Sequence, residues 1–257
     1  DIMGLLAQKQ CDLLLNLSSS PFTLGKKEKR DRVFSRHAQS AGVPVLYVNN
    51  VGIQNNAKTI FSFDGQSTLY DHEGAIVFKL PAYKESLFVC SLGMTASYLV
   101  SPNQKGDNAD IEEVAASLIY STDRYLKQCE LKRVVIGVSG GIDSAVAAAL
   151  YAQILPPENM LLVTMPSRYN STTTKNLAKE LADAIGCFYT DLSIEESVAL
   201  TLSQIDTLVV TGANGKSETL QLSGFHLENI QARDRSSRIL AALSASFGGV
   251  FTCNANK

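Results

Sequence analysis

With 257 residues, 45% of them apolar, the chain reads as globular and has room for one large or two ordinary domains with real cores. Its 23 Lys and Arg against 25 Asp and Glu leave a net charge of −2, which gives no broad basic field for nucleic acid or an anionic membrane, and no apolar run reaches bilayer-spanning length. Five cysteines without Cys-x-x-Cys spacing and three unclustered histidines indicate neither a zinc site nor a disulfide framework; reduced cysteines of a cytoplasmic protein are expected.

Residues 1–100 read as short apolar strands divided by turns: Asp12 to Leu17, Val43 to Asn49, Thr59 to Phe63, Thr68 to Tyr70 and Ile76 to Leu80. One helix is expected from about Lys26 to Ser40. The polar stretch 101–108 reads as a linker, after which Asp110 can cap a helix with Glu113 reaching back, and Ile111, Val114, Ala115, Leu118, Ile119 and Leu126 keep one face apolar. A second domain, 101–257, is placed there. From Arg133 onward strands and helices alternate: strand Val134 to Val138, helix Ser144 to Ile154, strand Met160 to Met165, helix Thr172 to Ile185, strand Phe188 to Asp191. A helix from about Asn229 to Phe247 and a strand Val250 to Cys253 follow. This alternation predicts a parallel sheet covered by helices, with the ligand at the carboxyl ends of the strands. Residues 203–227 interrupt the rhythm as an excursion over the site or toward a partner subunit, and Gly212 to Ser217 imitates a Walker loop with glycine spacing too short to be one.

The chemistry concentrates where the apolar strand ending in Gly137 and Val138 runs into Ser139-Gly140-Gly141-Ile142-Asp143-Ser144. The glycines let the backbone approach an anion, and the first N–H groups of the next helix point at it with a favourable dipole. Ser139 and Ser144 add hydroxyls, and Asp143 is placed to hold the magnesium that travels with ATP. A glycine-rich turn between any strand and helix would look similar. The segment lacks both the Walker lysine and the third glycine of a dinucleotide fingerprint. It resembles instead the PP-loop of the ATP pyrophosphatase enzymes, which cleave ATP between the α and β phosphates to adenylylate a substrate.

Further segments narrow the resemblance. Met165 to Ser171 and Glu228 to Arg233 are similar to signature segments of NAD synthetases. The resemblance implies ATP binding by Arg168, a cation with a planar stacking surface, and deamido-NAD binding by Asn229 and Arg233, four apart on one helical face. Without the family, residues 228–235 fit a solvated helix face equally well. Asn254 to Lys257 resembles the start of the family's Thr-Gly-Asn-Lys-Ser-Glu segment, with Asn254 where the ATP-contacting threonine is usual.

Asn16 to Pro21, Gly25-Lys26, Tyr47 to Gly52 and Phe63 to Ser67 resemble the later part of the nitrilase-like glutaminase domain fused to glutamine-dependent NAD synthetases, in which Ser20 and Lys26 would bind glutamine. A strand and turn without catalytic duty would explain them too. The glutaminase cysteine, glutamate and lysine are expected upstream of residue 1, so Cys11 is not the nucleophile. The chain starts at Asp1 and ends on Lys257 just after a strand, and is expected to be a fragment, inactive alone.

The resemblance implies an α/β fold: the C-terminal part of an α-β-β-α nitrilase-like sandwich, then a Rossmann-like parallel PP-loop domain. It implies a ligase that amidates deamido-NAD to NAD through an adenylylated intermediate, using ATP with Mg2+, ammonia from glutamine, and no bound organic cofactor. It also implies a homo-oligomer. The rival readings are another PP-loop amidotransferase or adenylating ligase, and a nucleotide-binding protein without turnover.

Overall fold

The computed structural model describes residues 5, 6, 8–56, 59–91, 109–166 and 172–254, excepting the side chains of 172–175. It divides into two compact units, Asp1–Tyr125 and Leu126–Lys257. Among the described residues no helix is long and apolar enough to cross a membrane.

The N-terminal unit is built on strands β1 (Leu14–Ser18), β2 (Val45–Asn49), β5 (Thr68–Tyr70) and β6 (Ile76–Lys79), in the order β1-β2-β5-β6. β1 runs parallel to β2 and the remaining pairs are antiparallel. Alternation along the strands gives the sheet two apolar faces. One carries Val45, Tyr47 and Tyr70 against Phe34 and Ala38 of helix α1 (Lys26–Ala41); the other carries Leu69, Val77 and Phe78 with Leu46 and Phe88. A separate antiparallel ribbon joins β3 (Val51–Asn55) to β4 (Ile60–Asp64).

Helix α2 (Ala109–Gln128) departs from its expected packing. It is described from Ala109, so Asp110 lies in the first turn rather than before it. Ile111 and Leu118 of the apolar stripe stay exposed, while Ser117 is buried and shares a 2.9 Å hydroxyl hydrogen bond with Ser62. Tyr120 packs its ring against Tyr83. Within this unit the helix is therefore anchored through its more polar side.

The C-terminal unit has one parallel sheet, β12 (Val250–Phe251), β7 (Val134–Gly137), β8 (Met160–Thr164) and β9 (Phe188–Asp191), in that order. β7 and β8 are the apolar runs of a strand covered on both faces, and Val134, Val135, Ile136, Met160, Leu162 and Val163 are buried. On one face lie α3 (Ile142–Ala152) and α4 (Thr172–Ile185), contributing Ala148, Ala178 and Ala182. On the other lie α5 (Glu195–Ile205), α6 (Gly224–Arg233), a π-helical segment Asp234–Leu240, and α7 (Ala241–Phe247). The excursion resolves into the end of α5, an exposed antiparallel hairpin of β10 (Val209–Thr211) and β11 (Ser217–Thr219), and the start of α6. The Walker-like stretch is the turn of that hairpin, closed by Gly212 N–H donating to the Lys216 carbonyl at 2.8 Å.

From β7 the chain builds outward to β8 and β9, then returns to place β12 on the other side of β7. That reversal opens a crevice at the carboxyl ends of β7 and β12. β12 fits there because residue 249 is glycine: a Cβ would lie 2.2 Å from the Arg133 carbonyl oxygen.

Candidate nucleotide site

β7 ends at Gly137, and the turn that follows is held by its own side chains. Ser139 N–H donates to Ser144 Oγ at 3.2 Å, Gly141 N–H donates to Ser139 Oγ at 3.2 Å, and Ser144 Oγ donates to the Gly141 carbonyl at 3.0 Å. Gly140 has φ 80, the left-handed conformation that favours glycine. α3 starts at Ile142, two residues before the expected Ser144, behind an N-cap glycine that supplies no capping side chain. Helix geometry leaves the first N–H groups of α3 without intrahelical acceptors, so the turn presents backbone donors to an anion. Ser144 was expected among those donors; it is buried, and its hydroxyl is committed to the turn. Ile142 and Asp143 are exposed at the first turn.

Beside this turn lies a cavity of about 640 Å³, lined by Gly137, Val138, Ser139, Met165, Arg233, Arg235, Ser236, Leu240, Phe251, Thr252 and Asn254 among others. Met165, Leu240 and Phe251 make an apolar wall. Asn254 Nδ2 donates to the Gly137 carbonyl at 3.5 Å, tying the segment after β12 to the end of β7. Thr252 Oγ1 is buried and meets no hydrogen-bond partner among the described residues. Arg168 lies outside the described residues.

Asn229 and Arg233 do meet: Arg233 Nη1 donates to Asn229 Oδ1 at 2.9 Å, and Asn229 Nδ2 donates to the Phe225 carbonyl at 3.0 Å. Arg233 lines the cavity, and Asn229 orients it from one helical turn back. α6 begins five residues before the expected Asn229 because Ser223 and His226 form a reciprocal capping box. The residues that sequence reasoning did not single out are Arg235, Ser236 and Thr252. Arg235 and Ser236 lie in the π-helical segment Asp234–Leu240, for which the local sequence holds no composition cue.

Among the described residues no three His, Cys, Asp or Glu side chains cluster as metal ligands. An exposed Asp143 alone suits a metal held mainly by phosphates and water.

The N-terminal unit has its own cavity of about 530 Å³, which brings together Ser20, Lys26, Lys29, Arg30 and Tyr47. Its frame is a buried network. Arg30 pairs bidentately with Asp64, Nη1 to Oδ1 at 3.1 Å and Nη2 to Oδ2 at 2.5 Å, and Nη1 also reaches the Tyr47 hydroxyl. Burial alone would pull the Arg30 guanidinium down; the Asp64 carboxylate and Tyr47 hydroxyl hold it well above its ordinary value. Asn49 clamps Ser20 on both sides of its backbone, accepting from Ser20 N–H at 2.8 Å and donating to its carbonyl at 3.2 Å, and also donates to Asp64. Lys26 Nζ donates to the Pro21 carbonyl at 2.8 Å; burial, and then Arg30, lower its pKa. Cys11 donates its thiol to the Leu6 carbonyl at 3.7 Å.

The NAD synthase family model matches residues 114–257, more than half of the chain. The chain belongs to the NAD synthase family. It is 31% identical to the glutamine-dependent NAD(+) synthetase of Rhodobacter capsulatus over 100% of its own length and 44% of that relative's. Against the same enzyme of Synechocystis it is 30% identical over 96% of this chain and 42% of the relative. The solved glutamine-dependent NAD+ synthetase of Acinetobacter baumannii in complex with adenosine diphosphate superposes with a TM-score of 0.80 at 26% identity, over 99% of this chain and 46% of that one. The glutamine-dependent NAD(+) synthetase of Cytophaga hutchinsonii has the same fold, with a TM-score of 0.78 at 18% identity. The chain thus spans less than half the length of these relatives.

Proposed function

We propose that this chain carries the ATP and deamido-NAD sites of a glutamine-dependent NAD synthetase, together with part of its glutamine pocket. The observation that carries this reading is the cavity at the strand reversal, with a Ser-Gly-Gly turn and a helix N-terminus on one side and Arg233 on another, in a chain of the NAD synthase family. The turn at Ser139, Gly140 and Gly141 with the first N–H groups of α3 takes the leaving pyrophosphate's charge. Asp143 holds the magnesium that arrives with ATP, and Gly137, Val138, Ile142, Asn254 and Arg168 complete the nucleotide site. The Ser144 hydroxyl holds the turn in shape. Arg233, oriented by Asn229, holds deamido-NAD so that its nicotinate carboxylate faces the α-phosphorus.

The carboxylate oxygen attacks the α-phosphorus, the bond to the bridging oxygen breaks and pyrophosphate leaves. Ammonia then adds to the acyl carbon, and AMP departs with the bond pair as a proton is lost from nitrogen. Ser20 and Lys26 belong to a partial nitrilase-like glutaminase domain and hold the α-amino-acid end of glutamine, with the Asn49 clamp fixing Ser20. Cys11 is assigned no catalytic part. Cytoplasmic location and homo-oligomeric assembly belong to the same reading.

Titration calorimetry of the chain with ATP and magnesium tests the core of it. Magnesium should strengthen ATP binding in the wild type, and Asp143→Asn should abolish that strengthening while the melting temperature stays put. Equal magnesium dependence in both proteins would remove Asp143 from the metal.

A further inference from the structure

Arg235 is the one cavity-lining cation that the described structure half-buries without an opposing contact. Its Nε donates to the Met165 carbonyl at 3.2 Å, at the end of β8. A guanidinium has five N–H donors, so this bond leaves both terminal amino groups to find acceptors elsewhere. The neighbouring Asp234 is the obvious candidate, but its carboxylate is engaged: Arg238 donates to both its oxygens at 2.7 Å, and Ser197 donates to Oδ2 at 2.8 Å. Among the described residues Arg235 forms no ion pair, although burial pulls its pKa down and the more distant Asp234 charge only partly opposes that. A half-buried charge without a contact partner is costly, and such groups persist where a ligand completes them.

Adjacent residues of this segment take different sides. The segment Asp234–Leu240 is π-helical, and such wide turns concentrate at functional sites. Here Asp234 and Arg238 face Ser197 of α5, while Arg235 and Ser236 face the cavity that also contains Ser139.

We infer that Arg235 is an anion receptor of this cavity, its two terminal amino groups donating to the oxygens of a nucleotide phosphate that also meets the Ser139 turn. A planar guanidinium already oriented through Nε suits two phosphate oxygens. The assignment rests on the nucleotide-binding reading above, and two ligands there carry phosphates, ATP and deamido-NAD.

The test is calorimetric binding of ATP, deamido-NAD and adenosine to the wild-type chain, Arg235→Gln and Arg235→Lys. The Gln variant should lose tenfold or more in affinity for ATP, for deamido-NAD or for both, and the ligand that falls identifies the source of the phosphate. Adenosine should stay within twofold. The Lys variant, which keeps a cation but not the fork, should fall between the two. Smaller losses for both phosphate ligands in each variant, or an equal loss for adenosine, would reduce Arg235 to a tether for β8. A wild-type chain that binds neither phosphate ligand would instead overturn the nucleotide reading on which this rests. Should Arg235→Gln fail to fold, Arg235→Lys decides: a threefold or greater loss for a phosphate ligand with adenosine unchanged upholds the assignment, and anything less overturns it.

Discussion

The two cavities solve opposite problems. In the N-terminal unit the frame of the cavity is bonded within the protein: Arg30 to Asp64 and Tyr47, the Ser20 backbone to both ends of the Asn49 amide, Lys26 to one carbonyl. In the C-terminal unit donors are left open: the N–H groups at the start of α3 and the terminal amino groups of the half-buried Arg235. The first arrangement holds its shape with or without a guest, as suits positioning a small polar molecule. The second leaves donors to be met by a highly charged one. Removing a polar group should therefore cost stability in one unit and binding in the other.

The largest expected effect breaks the N-terminal frame. Asp64→Ala strands the Arg30 guanidinium in the interior and should destabilise the unit by about 3–5 kcal/mol, the cost of orphaning a buried ion-pair partner. Urea denaturation followed by circular dichroism reads it, and a loss below about 1 kcal/mol would mean that water or rearrangement satisfies Arg30.

Next comes the contrasting change in the other unit. Arg233→Ala removes an exposed guanidinium bonded only to Asn229 among the described residues, so stability should stay within about 0.5 kcal/mol. Deamido-NAD affinity should fall by about 1.5–3 kcal/mol, the scale of hydrogen bonds to a charged group. A variant that melts early but binds normally would erase the distinction between the two cavities.

The smallest effect concerns the brace behind the open site. Hydrogen bonding from Arg238 holds the Asp234 carboxyl below its usual range; burial opposes this, and Ser197 adds to it. A carboxylate with a lowered folded pKa contributes stability that is fully present above its unfolded value, about 3.9, and is lost as pH falls through the folded one. Melting temperatures measured downward from about pH 5 should therefore drop more steeply for the wild type than for Asp234→Asn. Parallel curves would show that the brace contributes nothing.

The sequence exposes what local rules govern. β7 and β8 announce themselves as short continuous apolar runs, and the Ser-Gly-Gly turn between β7 and α3 is readable because only small residues permit that backbone. Helix α5 escaped notice: its apolar positions Val198 and Leu202 lie four apart in a short segment, too few repeats to stand out beside the polar excursion. α2 misled for the opposite reason. Leu126 of its apolar stripe is buried as expected, but within the N-terminal unit tertiary contact selected Ser117 and Tyr120. Ser144 looked like a ligand donor because hydroxyls are common in phosphate loops; whether a hydroxyl faces outward or closes its own turn depends on a rotamer that sequence does not specify. Arg235 sits in a π-helical turn, and nothing in the local composition announces that change of pitch.

The placement of β12 bears on how the protein acquires its site. Asn254 bonds to Gly137 across 117 residues of chain, and the strand that brings it there pairs through only Val250 and Phe251. Closing so long a loop for so short a ladder is entropically unrewarding until the intervening helices have packed. The topology therefore predicts that the nucleotide crevice gains its Phe251 to Asn254 wall late in folding, which pulsed hydrogen exchange would show as late protection of Thr252 N–H.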